Sequence, residues 1–208
     1  MKRILAIGGA VIKTAKPELK MMIYQNKIEM LIHNGGSLFH DFQQVIDPNL
    51  KGHSYPIDCL VENQECNELA AREVWKWIYG EARAPMKSVT RICEDMEIPV
   101  LLFTAPGCDF WHMFNKSGWG LLGEQQLGDF LELVKRFKQD HFHYVCMGSA
   151  VIHPEIFIKA VAEAHPQDFT ADVVDFRDMY RPRTRVAIYG TYHEMSHQEY
   201  FQHFLRKE

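Results

Sequence analysis

The groups best spaced for acid/base chemistry surround a glycine pair in IEMLIHNGGSLFHDFQ, residues 28–43: His33 and Asn34 precede it, and His40 and Asp41 follow. A histidine beside a carboxylate can be held in one tautomer and poised near neutral pH. His40 and Asp41 are therefore the catalytic candidates, with His33 behind them. A structural explanation competes, because an acidic residue in the first turn of a helix also satisfies the helix dipole. The surrounding pattern is strand, turn, helix. Glu29, Met30, Leu31 and Ile32 give a short buried strand, Gly35 and Gly36 let the backbone turn, and Ser37 is a credible N-cap. In an open parallel sheet, ligands bind in the crevice outside the carboxyl ends of the strands, which makes this loop a site candidate.

Other stretches carry chemistry of their own. His193-Glu194-Met195-Ser196-His197 matches HExxH, in which two histidines one helical turn apart bind zinc and the glutamate acts as base. His203 stands at the spacing of a third ligand, but Tyr200 occupies the place of the glycine that would turn the chain toward it. On one continuous helix His203 would also point away from the other two. No metal is therefore expected, and a metal-dependent hydrolase using His193 and His197 is kept as an alternative. Arg177, Arg181, Arg183 and Arg185 could grip a phosphate or carboxylate, or simply be solvated. Cys108 would be a nucleophile only beside a base that lowers its pKa.

The elements that must position these groups follow from apolar periodicity. Strands are expected at residues 2–9, 29–32, 98–104, 142–147, 170–176 and 185–190. Helices are expected at 17–25, after Ser37, at 59–79, 87–96, 121–139 and from Pro154, with a last one at about 193–205. Leu127, Phe130, Leu131, Val134 and Phe137 fall on one expected stripe. Alternating strands and helices argue for an α/β unit, one domain over 1–208, with a mostly parallel sheet of about six strands covered on both faces. Five strands then end in small or hydrogen-bonding residues: Gly8-Gly9, Asn34-Gly35-Gly36-Ser37, Thr104-Ala105-Pro106-Gly107, Gly148-Ser149 and Gly190-Thr191. With parallel strands all lie on one edge, which suits a nucleotide or another phosphate-bearing ligand. The Gly148-Ser149-Ala150 turn before a helix is a second anion cradle. Neither GxGxxG nor GxxxxGK[ST] is present, and turns use glycine anyway.

Bulk properties narrow the classes. The 208 residues suffice for a substantial core. A net charge of −4 gives no reason to expect nucleic acid as a partner. No apolar run approaches the ~20 residues of a membrane span. Five cysteines without a CxxC pair argue against a disulfide framework and point to the cytoplasm.

HNGGSLFHDFQ together with the MGSAVIHPE turn resembles the deoxyhypusine-synthase-like group of NAD-binding domains. The likeness lies in strand order and these two loops, about a third of the chain. It implies a three-layer Rossmann-like fold with NAD across the carboxyl edge, and Asn34, Gly35, Gly36, Ser37, Thr104, Gly148 and Ser149 as contacts. Gly8 and Gly9 join them from the edge pattern. The lysine in a glycine-rich segment with which that synthase forms an imine has no counterpart here, so the synthase activity is not carried over. The expectation is NAD-dependent work on a small amine or amino acid, in a protein able to form a homo-oligomer. A ligand-binding or assembly module without turnover is the other alternative.

Overall fold

Short apolar runs followed by helices build the sheet, because each helix carries the chain back to start the next strand in the same direction. The computed structural model describes residues 2–46, 76, 82–105, 108 and 116–206. Along the chain these form β1 (Arg3–Ile7), α1 (Gly9–Tyr24), β2 (Ile28–Asn34), α2 (Gly35–Ile46), α3 (Val89–Asp95), β3 (Val100–Phe103), α4 (Lys116–Phe137) and β4 (Phe142–Met147). Then come α5 (Ile152–Ala164), β5 (Phe169–Asp175), α6 (Tyr180–Arg185), a 3-10 turn (Ala187–Tyr189), β6 (Tyr192–Glu194) and α7 (His197–Leu205). The expected helix at 59–79 lies outside the described residues, as do most of the residues after Ala105 that lead to α4.

The six strands pair in the order β3-β2-β1-β4-β5-β6, and every pairing is parallel. Alternation along each strand feeds two apolar layers. Leu5, Ile7, Leu31, Val145 and Val174 pack with α1, α3 and α7 on one face. Ile4, Ala6, Ile32, Tyr144 and Val173 pack with α4 and α5 on the other. The second layer is rich in aromatic pairs: Phe142 stacks on Phe137 at 4.3 Å between centroids and on Phe169 at 5.0 Å. Leu133, Val134 and Phe137 supply the buried face of α4, whereas Leu127 and Leu131, expected on that stripe, are exposed.

Several boundaries differ from the sequence expectation. α1 starts immediately after β1, and Pro17 lies inside it next to a kink at Ala15 (φ −142°, ψ 21°), because proline has no N–H for the preceding turn. Residues 185–190 are not the sixth strand. They finish α6 and form the 3-10 turn, and β6 is Tyr192–Glu194, so Gly190 precedes a strand and does not lie at the carboxyl edge. The last helix begins at His197, not near His193. Ser196 caps it, accepting from the Glu199 amide at 3.1 Å while the Glu199 carboxylate accepts from the Ser196 amide at 3.0 Å. This reciprocal box ends the strand and starts the helix between the two histidines of HExxH. Ser196→Ala is expected to lower stability by about 1 kcal/mol in urea unfolding. A neutral result would mean that this cap does not define the helix start.

Candidate functional site

The strand order reverses between β1 and β4, and the backbone at their carboxyl ends is in contact. A Cβ added to Gly8 would lie 1.8 Å from the Gly148 carbonyl oxygen, and the Gly8 amide donates to the Met147 carbonyl at 2.7 Å. Gly148 itself takes the left-handed conformation (φ +63°) and donates to the Val174 carbonyl at 3.3 Å. The β2 end joins the same crest, since a Cβ on Gly9 would come within 2.9 Å of the His40 ring and 3.4 Å of Gly36. Gly8, Gly9, Gly36, His40 and Gly148 are thus brought together. Thr104 follows β3 at the outer flank, its amide donating to Gln126 at 2.6 Å.

Three helices present amino ends here. α1 has no side-chain cap, the Ser149 hydroxyl accepts from the His153 amide in the first turn of α5 at 3.3 Å, and α1 and α2 have no acidic residue in their first turns. α2 is capped by Asn34 and not, as expected, by Ser37. The Ser37 amide donates to Asn34 Oδ1 at 2.9 Å, and Ser37 Oγ accepts from the Asn34 amide at 3.0 Å, so Gly35 and Gly36 form the first helical turn. Uncapped amino ends carry free backbone N–H groups and a partial positive charge, which favours anions. Glu155 is the acidic residue of the first turn of α5, and it is engaged by Arg185 at 2.7 Å and Arg181 at 3.4 Å. Arg183 is held by Asp178 at 2.6 Å, so three arginines of the expected cluster are committed to carboxylates of this chain.

Asp41 is fully buried and takes four donors: Lys16 Nζ at 2.9 Å, the Val89 and Thr90 amides at 2.9 and 3.0 Å, and Thr90 Oγ1 at 3.1 Å. It thereby ties α1 and α2 to the start of α3. His33 extends this network, with Nε2 3.3 Å from Thr90 Oγ1 and Nδ1 2.8 Å from Ser37 Oγ. Because Thr90 spends its hydroxyl proton on Asp41, the arrangement assigns His33 a proton on Nε2 and an acceptor on Nδ1. His40 alone of the acid/base candidates is both at the crest and partly exposed.

Two further histidines lie beneath the crest, and sequence reasoning did not single them out for this edge. His153, in the first turn of α5, is fully buried, with the His33 backbone carbonyl as an acceptor against its ring. His197 is fully buried too, 3.3 Å from Thr14 Oγ1 through Nδ1 and packed edge-on against Phe176. Burial pushes the His33 and His197 imidazoles down to about 4 and His153 to about 3. Asp175, the last residue of β5, is a carboxylate that was also missed. Burial raises its pKa, while the Phe176 amide bonded to it at 2.8 Å opposes the rise. A carboxylate ending the apolar run ADVVD was the available signal. The HExxH geometry is absent: His193 lies on β6 with Nε2 3.3 Å from Asp172, on the far side of the Ser196 cap from His197. Among the described residues no group of three or more histidine, cysteine, aspartate or glutamate side chains could hold a metal ion.

Six parallel strands in this order, with helices on both faces, define a three-layer Rossmann-like α/β fold. Neither a protein-family model nor a curated protein matches the sequence. Solved structures share the fold. AgrE, in its ternary complex with ornithine and NAD+, aligns with a TM-score of 0.60 and 13% identity over 97% of this chain and 29% of its own. An LOR/SDH candidate from Methanococcus maripaludis S2 gives 0.59 and 12% over 99% and 61%, and a deoxyhypusine synthase candidate from Entamoeba histolytica gives 0.56 and 7% over 98% and 73%. The chain spans less than a third of AgrE and under two thirds of the methanococcal protein.

Acid sensitivity follows from the three neutral histidines. Their pKa values are lower folded than unfolded, so the unfolded chain takes up more protons between about pH 6.5 and 4. Their contribution to stability is complete above pH 6.5 and is lost as pH falls through that window, with unfolding near pH 5 expected to take up close to three protons. Urea unfolding measured from pH 7.5 to 4 checks this, and a flat profile would contradict it. Asp41→Asn is expected to destabilise by about 3–5 kcal/mol, because it leaves the largely buried Lys16 ammonium without its anion.

Proposed function

We propose that this chain binds NAD across the crest formed by the ends of β1, β2 and β4 and supports NAD-dependent chemistry on a small amino acid or amine. The observation that carries the reading is the backbone contact of Gly8 with Gly148 at the reversal of strand order, with the uncapped amino end of α1 on one side and the amino end of α5 on the other. A diphosphate suits such an edge, since backbone amides and helix dipoles supply its counter-charge without a basic side chain. The fold shared with AgrE, solved with ornithine and NAD+, favours a nicotinamide nucleotide over other phosphate ligands and an amino acid as the second reactant.

In this reading Gly9, Asn34, Gly36 and Gly148 line the ligand. Gly8, Gly35, Ser37 and Ser149 shape the turns from below, and Thr104 bounds the β3 side. His40 is the candidate acid/base group, with Asp175 as a second across the reversal, while Asp41 acts as the buried anchor of α3. NAD would supply hydride acceptance, and the chain's own residues would orient it and move a proton.

Titration with NAD, NADH, NADP and ADP-ribose, followed by thermal unfolding, tests the proposal. A ligand at 100 times its Kd stabilises by about 2.7 kcal/mol through linkage, so a clear rise in Tm is expected with NAD or NADH. Gly9→Val, which places side-chain atoms toward His40 and Gly36, should abolish the rise. No rise with any of the four nucleotides would refute nucleotide binding. His40→Ala should leave the Tm rise in place and remove turnover of amino-acid substrates in the presence of NAD.

A further inference from the structure

His197 belongs to the HExxH stretch that the chemistry above does not use, and it sits at the junction of three crest elements. It is the first residue of α7, set there by the Ser196 cap. Its Nδ1 lies 3.3 Å from Thr14 Oγ1, in the first half of α1 before the kink at Ala15. Thr14 in turn donates to the Ala10 carbonyl at 2.8 Å, one turn back and next to Gly9. Thr14 Oγ1 and Nδ1 share this hydrogen bond, and the Val174 carbonyl is a backbone acceptor against the same ring. On its other side the ring meets Gly148. A Cβ there would be 3.1 Å from Cε1 and 3.3 Å from Nε2, and Val11 lies at 3.4 Å from the same point. Phe176, just after β5, closes the remaining side with its ring centroid 4.5 Å away.

We propose that His197 is the positioning residue of the crest, a wedge that fixes the gap between the amino end of α1 and the left-handed Gly148 turn and so sets the affinity of the nucleotide site. This rests on the nucleotide reading for its ligand, though not for its geometry. The wedge needs three properties together. It must be planar to fit against Gly148, it must hydrogen-bond Thr14, and it must carry no charge beneath helix amino ends. A neutral imidazole has all three, and burial keeps this one uncharged at neutral pH. Alanine would leave a void against Gly148 and free the first turns of α1 to shift. Asparagine keeps the planar group and places a hydrogen-bonding amide where Nδ1 stands.

The test combines ligand affinity with a measurement that needs no ligand. For the full chain with NAD as probe, His197→Ala is expected to weaken binding about tenfold or more, equivalent to about 1.4 kcal/mol. His197→Asn should recover affinity to within about threefold of the unmodified chain. Thr14→Val should weaken binding about threefold and add little to His197→Ala, because the two groups act as one unit. A residue that only filled space would lower Tm in both His197 variants without recovery of affinity in the asparagine form. Without ligand, amide hydrogen exchange at Gly148 and Ser149 should accelerate in His197→Ala and in Thr14→Val, the second variant deciding if the first does not fold. Unchanged NAD affinity and unchanged exchange in folded variants would overturn the proposal. If the unmodified chain binds no nucleotide while exchange still accelerates, the nucleotide reading and the affinity claim fail and the wedge geometry stands.

Discussion

The contact of Gly8 with the Gly148 carbonyl is the constraint on which the crest depends. It exists because β1 and β4 are hydrogen-bonded neighbours although they are far apart in sequence, with Ile7 in register with Met147. Crossovers on opposite faces leave the strand ends side by side and send the following helices apart, α1 toward one layer and α5 toward the other. A side chain at position 8 would drive the two ends apart, and a Cβ at position 148 would meet both a left-handed backbone and the His197 ring. The crest at this contact is therefore backbone, and in the proposed reading that is how an acidic chain would offer an anion a favourable edge.

Beneath that surface the protein uses neutral polar groups as struts. His33 links the β2 end to α3 through Thr90, and His197 links α1 to the β4 end through Thr14. Asp41 is the exception, a buried anion on α2 whose four donors come from α1 and the start of α3. Burying an ion is costly unless it is paired and hydrogen-bonded, and here both conditions are met. The anion and its lysine lie on the α1, α2 and α3 side of the β2 end, so the helix that carries His40 is pinned from behind while its crest remains partly open.

Much of the framework was legible in local sequence. The apolar run 142–147 and the small residues after it placed β4 and its turn without error, because a fully buried strand must be apolar throughout and must end where the backbone turns. The run 185–190 misled because a short apolar stretch has no period of its own. In the fold Val186 is buried while Ile188 is 62% exposed, a helical or 3-10 alternation. From sequence Asp41 is expected as a carboxylate in a first turn, but α2 starts at Gly35 and puts it beyond that turn, and its partners Val89 and Thr90 lie 48 and 49 residues away, beyond any local pattern. His153 owes its burial to tertiary packing, and His197 to packing under the crest once the local Ser196 cap has started α7.

The HExxH stretch shows why spacing must be read together with boundaries. Two histidines four apart face the same way only if one helix contains both. The same stretch holds a competing signal, Ser196-His197-Gln198-Glu199, which is a capping box, and a cap satisfies amide groups that a continuing helix would have bonded otherwise. Once the helix starts at Ser196, His193 remains on β6 beside Asp172 and His197 turns under the crest. A protonated imidazole there would add a buried charge beside the amino end of α1, with no carboxylate recorded against it among the described residues. Keeping it neutral leaves the field at the edge to the backbone dipoles, whose strength does not vary with pH. In the proposed reading, that pairing of neutral supports with backbone donors would let this edge attract a diphosphate, while the buried charge of Asp41 is held apart on the α3 side by Lys16 and the start of α3.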